Sequence, residues 1–315
     1  MSSGYFEKRT ELELTNLFSG LISANHILHK HGVLDGYGHI SVRNPDNHDT
    51  FFMSRSMAPA LVSTTQDIIE YNVRDGEPEG PTNEHHFMER FIHSELYKKF
   101  PNVYCVLHCH MSDVLPYSIS RVPLRPSITT AGFLSSEVPV WDINSASPDK
   151  HDLLVSSTKL GHAFCAAFAK TNTSVNFIYN KLSSSISGSH AEPPTEPEHS
   201  VVLMRGHGVT ITGKGIEEVV FKAIYTQAAA RAQTSAVTLS RAHFNDLAEG
   251  KVESEGGGKI KGGKVKKSED IHYLSTKEIV DTREMIRQTM ARSWPMWLRE
   301  VDVDPLYVNE LKKGP

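Results

Sequence analysis

The chain has 315 residues, of which 39% are hydrophobic and 22% are charged, and its formal net charge is −4 at pH 7. This composition is typical of a globular protein, and it lacks the basic field that a nucleic-acid partner would require. A core of this size is stable without a structural metal ion or disulfides. Any metal ion that the chain binds is therefore expected to serve chemistry.

The cysteine content and the lack of long apolar segments indicate in which cellular compartment the protein is expected. Cys105, Cys109 and Cys165 are too few to form a disulfide framework, and they indicate a reducing environment. The N-terminal residues lack the apolar core of a secretion signal, and no run of about 18 apolar residues indicates a membrane span. We therefore expect a cytoplasmic protein with no membrane partner.

Helices and short strands alternate along the sequence. Apolar residues at helical spacing predict a first helix over residues 7–31, which ends at Gly32. Because several neighbouring strands are joined by tight turns, the pattern predicts an α/β fold with a central, mostly antiparallel mixed sheet covered by helices. The predicted strands are 39–43, 50–54, 69–73, 103–108, 138–141 and 201–204, and the further predicted helices are 81–100, 111–119, 157–170 and 217–242.

Two stretches of biased composition divide the chain. Residues 171–200 are rich in Ser, Pro and Glu, which predicts an exposed insertion loop within a main domain over residues 1–248. Residues 249–268 are rich in Gly and Lys, which predicts a flexible linker. The remaining residues, 269–315, are expected to form a docking tail because of their aromatic side chains, Tyr273, Trp294, Trp297 and Tyr307.

Two histidines stand at the end of a predicted strand. His108 and His110 are separated by one residue, so in an extended chain their side chains point to the same face and can reach one cation. Cys109 points to the opposite face, which argues against it as a ligand. On a chain with 17 histidines this pair is weak evidence of a metal site by itself.

A third histidine and one carboxylate complete the candidate site. His207 lies between two glycines directly after the predicted strand 201–204, where it has open space around it. Three protein nitrogens leave an open coordination position, as catalytic metal sites do. Glu89 shares a predicted helical face with His93 and Tyr97. By its position alone, Glu89 is compatible with a metal ligand, a general base or an ordinary surface residue.

Together these residues resemble the class II aldolase/adducin superfamily, the fold of fuculose-phosphate aldolase and ribulose-phosphate epimerase. The resemblance extends over residues 11–242 apart from the insertion, and it implies a three-layer α/β/α catalytic domain with helices on both faces of the sheet. In chain order, the matching blocks are Gly38–Arg43 (GHISVR), Glu89 with His93 and Tyr97, Val106–His110 (VLHCH) and Met204–Val209 (MRGHGV).

The resemblance assigns roles to these residues. It implies that His108, His110 and His207 hold one divalent metal ion and that Glu89 is the acid/base group. Zinc is the expected ion, with manganese or iron as alternatives, because imidazole ligands do not choose among them. Proton delivery by Glu89 requires a pKa raised by burial. The family also implies a homo-oligomer, usually a tetramer, with active sites at subunit borders.

The chain departs from the phosphosugar aldolases of this family where those enzymes hold the phosphate. They have Asn at the position of His39 and a Ser-Ser pair at the positions of Phe87 and Met88, and their Thr-Pro-x-Gly turn lies near Ser54–Met57. Phe and Met side chains cannot donate hydrogen bonds to an anion. We therefore expect that the phosphate pocket is lost.

The GHISVR block and the segment Ser54–Val62 (SRSMAPALV) are instead similar to a branch that decarboxylates hydroxylated aromatic or pyridine carboxylates. In that interpretation His39, Ser41 and Arg55 contact the substrate, and Arg55 pairs with its carboxylate. The sequence thus predicts a metal-dependent carbon–carbon lyase that acts through a metal-stabilised enolate, by decarboxylation of a small, non-phosphorylated hydroxy-aromatic carboxylate. The alternatives are aldol cleavage of a sugar-like substrate, a non-catalytic adducin-like binding role and Fe(II)-dependent oxygenation.

Overall fold

The computed structural model describes residues 10–169, 194–248 and 271–312, and at its centre lies one mixed sheet of seven strands. Their order across the sheet is β3-β2-β1-β4-β7-β6-β5. Neighbouring strands are antiparallel except for β5 and β6, so the predicted mostly antiparallel mixed sheet is confirmed. The strands are β1 His39–Arg43, β2 Thr50–Ser54, β3 Ile68–Asn72, β4 Cys105–Cys109, β5 Val140–Trp141, β6 Val201–Met204 and β7 Gly208–Gly213.

Helices cover both faces of this sheet. One apolar cluster joins the sheet to the first helix and to the longest helix, and a second cluster joins the opposite face to two shorter helices, α2 and α4. This is the expected three-layer α/β/α arrangement. In the described residues the α-helices are α1 Glu11–Lys30, α2 Arg90–Lys99, α3 Leu115–Ile119, α4 Thr158–Cys165, α5 Ile216–Ala248, α6 Thr276–Thr289 and α7 Ser293–Asp302.

Strand alternation decides which side chains enter which layer. Val42 of β1 and Leu107 of β4 pack into the layer formed by α1 and α5. The alternate residues of β1 face α2, where His39 and Ser41 both contact His93. Since β1 is buried along its whole length, these polar side chains must find partners inside the protein. The sheet face under α2 therefore carries a set of buried polar groups that hydrogen-bond to one another.

Helix α2 begins later than the sequence pattern predicted. The expected start was Pro81, but the helix begins at Arg90 and Glu89 occupies its N-cap position. The preceding backbone is used elsewhere, because the His85 carbonyl accepts a hydrogen bond from the Ser56 amide at 2.8 Å. The prediction that Glu89 lies on a helical face is therefore wrong, and the carboxylate lies instead where the chain enters the helix.

Strand β7 was missed by the sequence analysis although it pairs with both β4 and β6. Its Val209 and Ile211 enter the layer of α1 and α5. Thr210 and Thr212 alternate with them and are buried. The segment GVTITG is short and has glycine at each end, so its local pattern is weak. Pairing with β4, which is distant in sequence, and with the neighbouring β6 places it in the interior of the sheet.

The remaining predicted elements differ from the structure mainly at their ends. The first helix starts at Glu11, where Thr10 and Glu13 form a capping box. The predicted helix 157–170 is shorter, because α4 ends at Cys165 after a start capped by the Ser157 side chain. The predicted helix 111–119 contains regular α-helix only from Leu115 onwards, while α5 is longer than predicted.

The C-terminal tail packs on α1. Trp297 and Tyr307 are buried and belong to the apolar cluster of that layer. Lys30 of α1 contacts Asp304 at 2.7 Å, and the Asn309 side-chain amide donates to the Ser19 carbonyl at 2.9 Å. The surface on which the tail docks is thus provided by its own chain.

Parts of the predicted domain organisation fall outside the described residues, namely 171–193 of the insertion loop and all of the linker 249–268. Residues 194–200 are described, and the Glu198 amide donates to the Phe168 carbonyl at 3.0 Å. Within the described ranges, no helix combines the length and apolar character that crossing a membrane requires. The domain boundaries themselves stay a prediction.

Candidate metal centre and active site

His108 enters the site from the central strand β4. It is fully buried, and in the sheet it lies opposite His39 of β1 and Thr210 of β7. Its Nδ1 is 3.2 Å from the Thr210 hydroxyl, whose own hydrogen is directed to the Met204 sulfur at 3.6 Å. The ring therefore donates from Nδ1, and its Nε2 lone pair remains available for a cation. Burial lowers the pKa of His108 well below its usual value, so the imidazole is neutral.

His110 follows the last residue of β4 and is oriented by a carboxylate. Its Nδ1 lies 3.2 Å from Asp35 Oδ2, so it donates there and leaves Nε2 for the same cation. Asp35 Oδ1 accepts the amides of Tyr37 and Gly38 at 2.8 and 3.0 Å. Although burial opposes ionisation, these two bonds and His110 lower the pKa of Asp35. A carboxylate–histidine pair of this kind is a common support for a metal ligand.

His207 lies in the turn between β6 and β7, as the glycines around it predicted. Gly206 has a φ of +65°, which a residue with a side chain rarely adopts. A Cβ at Gly208 would lie 2.3 Å from the Cys109 carbonyl oxygen, so only glycine lets the turn approach β4. The His207 ring then stacks on that of His110, with 5.2 Å between ring centroids.

Glu89 completes the cluster from the start of α2. Its Oε1 accepts the Val155 amide at 2.9 Å, and its Oε2 lies 3.4 Å from His108 Nε2 and 3.3 Å from His207 Nε2. Burial by itself would raise the pKa of Glu89, but hydrogen bonding to the His207 side chain and to the Val155 amide acts in the opposite direction, and the pKa is lowered to about 2. The expectation of a raised pKa is therefore wrong, and Glu89 is a carboxylate at neutral pH.

The four groups fit a divalent cation. One ligand atom from each of Glu89, His108, His110 and His207 lies within 4.8 Å of the other three, and the two Nε2 atoms of His108 and His110 are 3.2 Å apart. Ligands at 2.0–2.1 Å around a tetrahedral ion are separated by about 3.3–3.4 Å. Both rings donate from Nδ1, so two nitrogen lone pairs face each other at short distance. A cation between them removes this repulsion.

The chain's other predicted site residues lie beside this cluster or apart from it. His39 packs on His108, with 5.3 Å between ring centroids. Ser41 is fully buried, and its hydroxyl is occupied by His93 and Tyr97, so the described contacts give no support to direct substrate binding. Arg55 is 3.1 Å from an Asp67 oxygen and 3.4 Å from a Glu84 oxygen. Substrate contact by Ser41 and Arg55 stays a prediction.

Three supporting residues were missed by the sequence analysis: Asp35, Val155 and Thr210. Thr210 belongs to the missed strand β7. Val155 contributes only its backbone amide, and it lies two positions after Leu153, a non-glycine residue with a φ of +61°. Asp35 alone had a local signal, since an Asp before Gly-Tyr-Gly is typical of a turn that its side chain closes.

The role of Asp35 is tested by Asp35→Asn. Asparagine keeps the Oδ1 that accepts the turn amides, but it replaces Oδ2 with an NH2 group that faces the His110 Nδ1 proton. We expect metal affinity to fall about 10- to 100-fold, measured by zinc titration against a competing chelator. Asp113→Asn is the control, because Asp113 pairs with Arg231 on α5. An affinity within twofold of the unaltered protein would contradict this role for Asp35.

Comparison with known proteins agrees with this geometry. The family model described as Class II Aldolase and Adducin N-terminal domain matches residues 19–234. The decarboxylase tropJ of Talaromyces stipitatus is 42% identical over 290 residues, which cover 91% of this chain and 95% of that protein. These matches include all four residues of the cluster.

Solved structures share the fold. An aldolase II superfamily protein from Pseudomonas syringae gives a TM-score of 0.60 at 15% identity, covering 96% of this chain and 99% of that chain. The L-fuculose 1-phosphate aldolase from Glaciozyma antarctica gives 0.58 at 15% identity, covering 95% and 92%. At such identities the likeness concerns the fold alone. With the family model and the 42% identical relative, it leads to one conclusion: the chain belongs to the class II aldolase and adducin family.

Proposed function

We propose that the protein is a metal-dependent decarboxylase of a hydroxylated aromatic carboxylate that carries no phosphate. The observation that carries the proposal is the convergence of three imidazoles and one ionised carboxylate on a single point. The 42% identical relative is named a decarboxylase, which favours loss of CO2 over aldol cleavage. An adducin-like role without catalysis would not require the cluster.

His108, His110 and His207 would hold the ion, with Asp35 and Thr210 fixing two of the rings. A bound divalent cation supplies Lewis-acid stabilisation of the negative charge that develops on substrate oxygens. Zinc is our proposed ion, because the separations of 3.2–3.4 Å between the ligand atoms suit tetrahedral coordination.

Glu89 is proposed to move the proton. As a carboxylate at neutral pH it can accept the proton of a substrate hydroxyl, and once protonated it can return it to the carbon that loses CO2. The carbon–carbon bond breaks with its electron pair staying on the substrate, and a proton takes the place of CO2. Glu89 thus begins as the base, because it is ionised at neutral pH.

The apolar wall of the site favours an aromatic substrate over a phosphosugar. Phe87 is buried and packs on His39, with 4.6 Å between ring centroids. Met88 is mostly exposed and also lacks a hydrogen-bond donor. Arg55 is already paired with two carboxylates, so its predicted contact with the substrate carboxylate would require exchange of these partners.

The test is an assay of the full chain, stripped of metal and reloaded with Zn²⁺, Mn²⁺ or Fe²⁺. Hydroxybenzoates, hydroxypyridine carboxylates and fuculose 1-phosphate are screened for release of CO2 and of aldehyde. We expect CO2 from one or more of the aromatic carboxylates and no aldehyde from the phosphosugar. Aldehyde release without CO2 would refute decarboxylation, and consumption of O2 by the iron form would favour an oxygenase.

We further propose that the protein is a cytoplasmic homotetramer. Three large apolar side chains, those of Tyr37, Met88 and Ile119, are exposed on segments next to the cluster. A neighbouring subunit would cover them and close the site. All three cysteines are free and buried, which supports a reducing compartment. Light scattering of the purified protein tests the assembly, and a monomer at micromolar concentration would refute it.

A further inference from the structure

A chain of buried hydrogen bonds runs from α2 to the edge of the metal cluster. The Tyr97 hydroxyl is 2.8 Å from Ser41 Oγ, which is 2.6 Å from His93 Nδ1. The other nitrogen of that ring, His93 Nε2, is 2.7 Å from His39 Nδ1. All four side chains are at most 2% exposed. None of these groups is a candidate metal ligand, yet this series of hydrogen bonds ends at His39, whose ring packs against His108.

The Tyr97 hydroxyl determines which group donates in each of these hydrogen bonds. A buried hydroxyl must donate its proton, and Ser41 is the acceptor that the described residues offer to Tyr97. The other polar groups near the tyrosine are the Val106 amide, which faces its oxygen, the Arg43 guanidinium, which lies over its ring, and the Cys105 thiol. The amide and the guanidinium are donors only, and the described contacts include no hydrogen bond between Tyr97 and Cys105, so the Tyr97 proton is directed to Ser41.

Each later bond is then determined in turn. Ser41 accepts from Tyr97 and must donate to His93 Nδ1. A neutral His93 whose Nδ1 accepts carries its proton on Nε2, and it donates that proton to His39 Nδ1. His93 is fully buried without a carboxylate among its described partners, which keeps it neutral. A neutral His39 whose Nδ1 accepts must carry its own proton on Nε2.

We propose that Tyr97, Ser41 and His93 are positioning residues that hold His39 in its Nε2-protonated tautomer, so that it presents an N–H donor to substrate oxygens beside the metal cluster. Among the described residues, His39 Nε2 has no hydrogen-bond partner, although its ring lies between Phe87 and His108. The contact between the His39 Nε2–H and a substrate oxygen rests on the proposed function, whereas the tautomer of His39 does not. The proposal also assigns a role to Ser41, which is buried and for which the described contacts do not support direct substrate binding.

The tautomer can be measured without activity. In the full-length zinc-loaded protein labelled with ¹⁵N-histidine, long-range ¹H–¹⁵N spectra distinguish protonated from unprotonated ring nitrogens, with His39→Gln used for assignment. We expect His39 to show a protonated Nε2 and an unprotonated Nδ1. A protonated His39 Nδ1 in the unaltered protein would overturn the proposal, whichever substrate the enzyme accepts.

Two variants test the direction of the chain. Tyr97→Phe removes the first bond but leaves the Ser41 hydroxyl able to donate to His93, so the His39 tautomer should be unchanged. The double variant Tyr97→Phe/Ser41→Ala also removes that hydroxyl and leaves no unpaired tyrosine proton. We expect it to show both tautomers of His39. A single, unchanged tautomer in the folded double variant would contradict the assignment.

The donor itself is tested by activity on the substrate class found in the decarboxylase screen. His39→Gln keeps a side-chain N–H donor, whereas His39→Leu has none. We expect kcat to fall about 10²- to 10³-fold in His39→Leu and clearly less in His39→Gln. Equal losses in the two variants would refute the donor role. If no substrate of the screen releases CO2, the proposed function fails while the tautomer measurement still decides the hydrogen-bond chain.

Discussion

Replacing His108 with alanine is expected to abolish metal retention and to lower the rate of CO2 release at least about 10³-fold. The substitution removes a proposed ligand that is fully buried and whose Nε2 lies 3.2 Å from that of His110. Loss of a supporting residue alone costs about 10- to 100-fold in metal affinity, and loss of Lewis-acid stabilisation is worth several kcal/mol in the barrier. Elemental analysis of the dialysed protein and a CO2 assay measure both effects.

The control for this substitution is His162→Ala. His162 is a histidine of α4 whose side chain is 78% exposed, so its loss should leave metal content and activity unchanged. Because His108 lies in the core, His110→Ala provides a second ligand variant at a less buried position. Circular dichroism verifies the fold of each protein. A folded His108→Ala variant that keeps one metal ion per chain and full activity would refute the metal centre.

Replacing Glu89 with glutamine is expected to lower kcat about 10²- to 10⁴-fold while the three histidines still retain the metal ion. Glutamine has nearly the same shape, and its carbonyl oxygen can still accept the Val155 amide. It cannot take up or return a proton. Single-turnover CO2 release and deuterium incorporation into the product, measured in D2O, separate the bond-breaking step from proton return.

Glu95→Gln is the matched control, since Glu95 is a buried carboxylate of the same helix that pairs with Lys98 at 3.3 Å. Its replacement should change kcat less than about threefold. If Glu89→Gln had the activity of the unaltered enzyme, proton transfer by Glu89 would be excluded, and a role for its carboxylate as a metal ligand would remain. Loss of bound metal in Glu89→Gln would indicate that the ligand role is the larger one.

Local patterns in the sequence indicated the histidines, and the family resemblance turned them into a predicted ligand set. The spacing of His108 and His110 predicts a shared face in a strand, and the glycines around His207 predict a turn with room for a ligand. These are properties of a few consecutive residues, so they do not depend on the rest of the fold. The apolar periods likewise predicted most of the sheet and its covering helices, whereas β7, the tail helices α6 and α7, the start of α2 and other element ends were missed.

The position of Glu89 could not be obtained in this way. The helical pattern 81–100 placed it on a helix face, but the His85 carbonyl is bonded to Ser56, and the helix starts only after Glu89. Its ionisation was also mispredicted, because burial and hydrogen bonding act on its pKa in opposite directions. Which of them prevails depends on the distances to His207 and to the Val155 amide, which the sequence does not contain.

The sequence by itself determined the layered α/β architecture, since that depends on short-range periodicity, and its resemblance to a known family predicted the family and which three imidazoles can serve as ligands. Only the tertiary structure decided that Asp35 orients His110, that Glu89 is ionised and that a directed hydrogen-bond chain reaches His39. These properties depend on contacts between residues far apart in the chain, such as Ser41 with His93 (52 positions) and Asp35 with His110 (75 positions), brought together by the pairing of β1 with β4 and by the packing of α2 on the sheet. Hydrogen bonds and charge interactions change over tenths of an ångström, and no local pattern specifies such distances.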